Sequence, residues 1–232
     1  LLPYATSSNN RINLRLLVYL IELASSLCFA LKKVKYIMRK VHNNIYACKD
    51  NLLYYSKEIV LLIDLDGTLV DTNHANFLAY NYALKQVLGS QLSFDKSRRF
   101  TREVLKETYP TIRSIDLEKI IKIKNEKYSD YLDKTRVNSP LVMLLQKYHK
   151  TNNTVLVTKS HKRRAEETLS YHNLMGYFSN KIFAQANNKY EEAINTLSLP
   201  VSLVAIFEDN DLEIGNAVKI GIPKQNINKI KF

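Results

Sequence analysis

Two carboxylates two residues apart, Asp64 and Asp66, stand directly after the apolar run Ile59-Val60-Leu61-Leu62-Ile63 and before Gly67-Thr68. Five aliphatic residues ending in an acidic pair and a glycine read as a buried strand that opens into a functional loop. In open α/β sheets, ligands collect outside the carboxyl ends of the strands. Acidic groups held there repel one another and lose solvent, which is costly unless a cation or a reaction uses them.

Two further runs of the same kind follow. Thr154-Val155-Leu156-Val157 ends in Thr158-Lys159-Ser160, and the stretch from Val201 to Phe207 ends in Glu208-Asp209-Asn210-Asp211. Short, nearly uninterrupted apolar runs rich in β-branched residues are what parallel strands covered on both faces require. Each run delivers polar chemistry at its C-terminal end.

Helical signals lie between these strands. Asn138-Ser139-Pro140 supplies a cap and an early proline before an apolar segment, and Lys162–Tyr171, Glu191–Leu197 and Asp211–Ile220 are further helices. Alternating strand and helix argue a doubly wound α/β core. Between Thr72 and Asn138 the alternation stops, and Asn73–Leu88, Ser97–Glu107 and Asp116–Leu132 read as amphipathic helices without a strand among them. The expected organisation is a core of residues 58–72 and 138–232, an all-helical insert over 73–137, and a basic, apolar extension over 1–57.

The 232 residues suffice for one domain with a small insert. The formal net charge is +12, and residues 1–58 hold nine Lys/Arg against three acids, half of that excess in a quarter of the chain. No single motif concentrates the rest. The balance therefore reads as a Lys-, Asn- and Ile-rich composition, and no nucleic-acid partner is expected. Cys28 and Cys48 form no disulfide framework, which fits a reducing, cytoplasmic setting. The apolar stretch Leu16 to Leu31 is broken by Glu22 and is shorter than the about 20 residues of a membrane span. A packed or amphipathic helix is the expectation for it, with membrane association of residues 1–57 the alternative.

The run Asp64-Leu65-Asp66-Gly67-Thr68-Leu69-Val70-Asp71-Thr72 resembles the first motif of the haloacid dehalogenase (HAD) superfamily. Val155-Leu156-Val157-Thr158 is similar to its second motif. Phe207-Glu208-Asp209-Asn210 is similar to the fourth, in the form of the branch that includes β-phosphoglucomutase and phosphoglycolate phosphatase, and Leu169 to Phe178 matches the segment after motif two in that branch. The resemblance covers residues 59 to about 223. It implies a Rossmann-like core with a parallel sheet and an inserted helical cap.

It also implies roles. Asp64 would be the nucleophile that forms an aspartyl-phosphate, and Asp66 the general acid–base. Mg²⁺ would be held by the Asp64 carboxylate, the Asp66 backbone carbonyl, Asp209 and Glu208. Thr158 would hydrogen-bond a phosphoryl oxygen, with backbone help from Lys159 and Ser160. A third-motif lysine would neutralise the phosphoryl group; Lys189 is the expected residue, although it lacks the Lys-Pro of the branch, and Lys181 is the fallback. Glu213 matches an acid that braces the site in other branches. Among insert residues, Arg98, Arg99, Arg102 and Arg113 would meet an anionic substrate tail, and His74 stands near the cleft. The implied activity is a Mg²⁺-dependent phosphatase acting on a small phosphorylated metabolite. A phosphoglucomutase-type phosphotransferase and a non-catalytic binding protein of the same fold are the alternatives. A dehalogenase does not need Asp66.

Overall fold

The computed structural model describes residues 55–95 and 98–232. The helix expected within residues 1–57 lies outside the described residues. Among the described residues there are seven strands: β1 (Val60–Ile63), β2 (Val70–Asp71), β3 (Arg136–Val137), β4 (Thr154–Thr158), β5 (Asn180–Phe183), β6 (Val204–Glu208) and β7 (Ile227–Lys229). The described helices are α1 (Asn73–Leu88), α2 (Arg102–Thr108), α3 (Ser114–Lys127), α4 (Ser139–Tyr148), α5 (Lys162–Tyr171), α6 (Lys189–Leu197) and α7 (Asp211–Lys219).

Five strands form a parallel sheet in the order β5-β4-β1-β6-β7. β1 is central, so its residues are buried on both faces, and this is why it is apolar throughout. Val60 and Leu62 share a core with Val155, Val157, Val204 and Ile206, on which Tyr190 and Ala193 of α6 and Ala217 of α7 pack. Leu61, Ile63, Leu156 and Phe207, which point the other way along their strands, are equally buried. Asparagine amides tie loops to strand carbonyls: Asn152 Nδ2 donates to Ile59 O and Asn226 Nδ2 to Val204 O, both at 2.9 Å.

Register fixes the position of the chemistry. Ile63 lies beside Leu156 on one side and Phe207 on the other. The residues that follow, Asp64, Thr158 and Glu208, therefore emerge on one rim of the sheet.

The insert leaves this rim after β2 and returns through β3, the two strands pairing antiparallel with Val70 opposite Val137. Between them α1, α2 and α3 share their own core of Tyr80, Ala83, Leu84, Leu105 and Ile120. Helix α1 matches its expected span and ends at Gly89, whose φ of 63° closes the last turn. Helix α2 begins later than expected, because Thr101 accepts from Val104 N and starts the helix there. The third expected helix, Asp116–Leu132, stops at Lys127 and continues as a 3₁₀ segment, Tyr128–Lys134, with non-helical backbone at Tyr131. The strand expected from Val201 starts at Val204, because Val201–Leu203 form a 3₁₀ turn after Pro200. Among the described residues no helix is long and apolar enough to cross a membrane.

Leu62 has no solvent exposure and lies between β4 and β6. Leu62→Ala is expected to lower the unfolding free energy by about 3 kcal/mol. Exposed Met143→Ala serves as the neutral control. Urea unfolding checks this; a Leu62→Ala loss no larger than that of the control contradicts the assignment of β1 as the core strand.

Candidate active site

The loop after β1 is drawn tight by its own backbone. Gly67 N donates to Val70 O, and Leu69 N and Val70 N both donate to Leu65 O. Gly67 has a φ of 85°, and a Cβ placed there would come within 2.9 Å of Asp209 Cγ. Only glycine lets this turn pass so close to the Asp209 carboxylate. Thr68 Oγ1 then donates to Asp209 Oδ1 at 2.9 Å, joining the β1 loop to the residue after β6.

The lysine is placed by a helix cap. Asn188 accepts from Tyr190 N and Glu191 N and starts α6, so Lys189 is its first residue. The buried Lys189 Nζ lies 2.5 Å from Asp64 Oδ1 and 2.7 Å from Glu208 Oε2. Lys181 stands on β5 beside Leu156, away from the residues that line the site. Burial works against the Lys189 charge, but Asp64 and Glu208 outweigh it and hold its pKa above the ordinary lysine value.

Glu208 is satisfied from all sides. Its Oε1 accepts from Asp209 N and Asn210 N, and its Oε2 accepts from Tyr190 OH at 2.6 Å as well as from Lys189. Carboxylate oxygens of Asp64, Glu208 and Asp209 lie within 4.8 Å of one another, a set of hard oxygen donors that fits a divalent cation such as Mg²⁺. Asp64 accepts from Lys189 and Asp209 from Thr68, so each keeps lone pairs for a cation, whereas Glu208 spends its own on the protein.

Asp66 sits in a different environment. Its Oδ1 accepts from Thr72 Oγ1 at 2.5 Å, and its Oδ2 accepts from Ser160 Oγ and, at 2.7 Å, from Arg164 Nη2. Arg164 also donates to Ser160 Oγ and to Asn76 Oδ1, and its guanidinium lies over the Tyr128 ring. Burial by itself would raise the Asp66 carboxyl, yet Arg164, Arg99 and the two hydroxyl donors hold it well below the usual carboxylate range. Asp64 moves oppositely. Burial is the largest influence and raises it, Lys189 lowers it, and Glu208 and Asp66 raise it again, for a net value of about 7. Asp209 is raised too, first by burial and then by Asp64.

Thr158 Oγ1 accepts from Ser160 N, which leaves its hydroxyl proton for a ligand. Thr158, Asp64, Asp66, Glu208 and Lys189 all line one cavity of about 590 Å³. Lys159 enters through its side chain, which bonds Glu213 at 2.7 Å and Asn187 O at 2.6 Å. Of the insert residues expected to meet the substrate, Arg99 and Arg102 line the cavity. Arg98 pairs with Glu107 and Arg113 with Asp116, and His74 stacks on Phe94; none of the three lines it. Arg164, Tyr190 and Lys124 were not anticipated. Arg164 had a legible signal, lying six residues after Thr158 in the first turn of the helix that leaves the rim.

The family model for haloacid dehalogenase-like hydrolases matches residues 61–226. The chain belongs to this family. A predicted phosphatase from Clostridium acetobutylicum superposes with a TM-score of 0.61 at 18% identity, over 75% of this chain and 83% of that one. A protein assigned as a beta-phosphoglucomutase from Thermotoga maritima gives 0.57 at 23% identity, over 75% and 86%. A predicted phosphoglycolate phosphatase from Haemophilus somnus gives 0.57 at 17% identity, over 72% and 83%. At these identities the likeness establishes the fold. No curated protein is significantly similar in sequence.

The opposed carboxyl shifts have a consequence for stability. A carboxyl whose pKa is raised on folding weakens the fold as pH climbs from its unfolded value, about 4, to its folded one. Asp66, with a depressed pKa, contributes stability above about 4 and loses it as pH falls further. In metal-free protein, Asp64→Asn is therefore expected to raise the melting temperature by several degrees at pH 8 and by clearly less at pH 5. Calorimetry at both values checks this; an equal or lower melting temperature at pH 8 contradicts it.

Proposed function

We propose that this HAD-family hydrolase is a Mg²⁺-dependent phosphatase of small phosphorylated metabolites. The observation that carries the reading is Lys189 Nζ set between Asp64 and Glu208, with Asp209 alongside, in a cavity that also holds Asp66 and Thr158.

Asp64 is the group that attacks phosphorus. Its oxygen forms the new P–O bond while the bond to the leaving oxygen breaks. Asp66 lies two residues further along the same loop and handles the proton. It protonates the leaving oxygen and then takes a proton from the water that attacks phosphorus and frees Asp64. Lys189 and the Thr158 hydroxyl face the non-bridging phosphoryl oxygens, where charge is spread in the transition state. Lys189 also prevents Asp64 and Glu208 from repelling each other. Mg²⁺ would be held by Asp64, Asp209 and the Asp66 backbone carbonyl, with Glu208 beside them, and would supply electrostatic neutralisation of the bound phosphate.

The helices between β2 and β3 act as a cap. They supply Arg99, Arg102 and Lys124 to the cavity wall, and the two-stranded β2–β3 ladder marks where they leave and rejoin the core. Cap closure excludes water and orients the substrate.

The expected result is Mg²⁺-dependent release of 4-nitrophenol from 4-nitrophenyl phosphate, lost on chelation. Asp64→Asn is expected to reduce kcat by about 10³-fold or more, as removal of a covalent nucleophile does. Activity that survives Asp64→Asn, or that is insensitive to chelation, overturns the reading.

A further inference from the structure

Tyr190 follows Lys189 directly, in place of the proline that the resemblance leads one to expect. Its ring is fully buried in the core with Leu62, Val155, Val204 and Ile206. Its backbone is fixed as well, because Asn188 caps α6 and accepts from Tyr190 N. Ring and backbone together aim one hydroxyl at the rim, where it donates to Glu208 Oε2 at 2.6 Å.

A carboxylate offers about four lone-pair sites. Glu208 meets four donors: Asp209 N at 3.1 Å and Asn210 N at 3.0 Å on Oε1, and Tyr190 OH at 2.6 Å and Lys189 Nζ at 2.7 Å on Oε2. Yet one of its oxygens lies within 4.8 Å of an oxygen of Asp64 and of Asp209. Glu208 is therefore near enough to join a cation held by those two, and its protein donors keep it from doing so. Two of the donors are backbone amides, and Lys189 belongs to the phosphate site. The Tyr190 hydroxyl is the donor whose only contact is Glu208.

We propose that Tyr190 is a positioning residue that withholds Glu208 from the bound cation and thereby sets the cation preference of the site, favouring Mg²⁺ over Ca²⁺. This rests on the reading of Asp64 and Asp209 as cation ligands. Mg²⁺ keeps several waters and needs only one or two carboxylates, whereas Ca²⁺ takes about six to eight oxygens in a flexible shell and gains more from an added carboxylate. Held by Tyr190, Glu208 serves instead as the fixed counter-ion of Lys189, and the cation site stays lean in carboxylates. Groups that orient ligands from outside the coordination shell tune a metal site in this way.

Calorimetric titration of the metal-free full chain with MgCl₂ and with CaCl₂ tests this without turnover. Tyr190→Phe keeps the ring and removes only the hydroxyl. It is expected to bind Ca²⁺ about tenfold more tightly than the unaltered protein, as release of a charged hydrogen-bond acceptor warrants. Its Mg²⁺ affinity is expected to change by less than about threefold. In a Glu208→Gln background the same substitution is expected to change neither affinity. A folded Tyr190→Phe with an unchanged ratio of Ca²⁺ to Mg²⁺ affinity overturns the proposal, and so does a gain that persists in Glu208→Gln. A crystal structure of the unaltered protein with Mn²⁺, located by its anomalous signal, decides whether or not the variants fold. The ion is expected on Asp64 and Asp209 with Glu208 still bonded to Tyr190; an ion bonded directly to Glu208 overturns the proposal and leaves the phosphatase reading intact. Failure of the unaltered protein to bind any of the three cations at Asp64 and Asp209 removes both.

Discussion

Lys189 between Asp64 and Glu208 is the interaction on which the site depends. Parallel strands bring several carboxylates to one buried rim, and buried carboxylates without a partner take up protons rather than stay charged. One ammonium, 2.5 Å from Asp64 and 2.7 Å from Glu208, lets both remain close. Its position follows from Asn188, which starts α6 one residue earlier, and Tyr190, the next residue, completes Glu208. Asp209 lies beside this pair, and the carboxylates of Asp64, Glu208 and Asp209 come close enough together to fit a divalent cation.

The two aspartates of the β1 loop differ because their surroundings differ. Asp64 faces other carboxylates and is raised to about 7, while Asp66 is surrounded by Arg164, Ser160 and Thr72 and held low. Pairs of carboxyls pushed apart in this way are the usual basis for dividing nucleophilic and proton-transfer roles. In this geometry Asp66 is held ionised. In the proposed reaction, protonation of the leaving oxygen would require its Arg164 and Arg99 contacts to loosen, and Arg99 lies between β2 and β3, so the position of that segment and the proposed proton transfer would share a contact.

Much of the core was legible from local pattern alone. β1 and β4 are apolar because both of their faces are covered, and acids and a threonine stand at strand ends because that rim is where ligands are met. The weak strands were not legible. β5 and β7 are short outer strands with mixed sequences, and β2 and β3 are two-residue strands that exist only through their mutual pairing. Lys189 carried little sequence signal, because its role comes from a cap and a long-range contact spanning from residue 64 to residue 189. Lys124 was invisible for a related reason: on amphipathic helices most cations face water, and only packing reveals which turn inward. Among the expected arginines, Arg98 and Arg113 follow that ordinary rule, while Arg99 does not.

The central claim is that Asp64 receives the phosphoryl group. Acid quenching during turnover of a small phosphate monoester with Mg²⁺, followed by peptide mass spectrometry, tests it most directly. The account predicts an acid-stable, hydroxylamine-sensitive phosphate on the peptide containing Asp64 and located at that residue. Steady product formation with no phosphate trapped there, or with the phosphate on another residue, would contradict it.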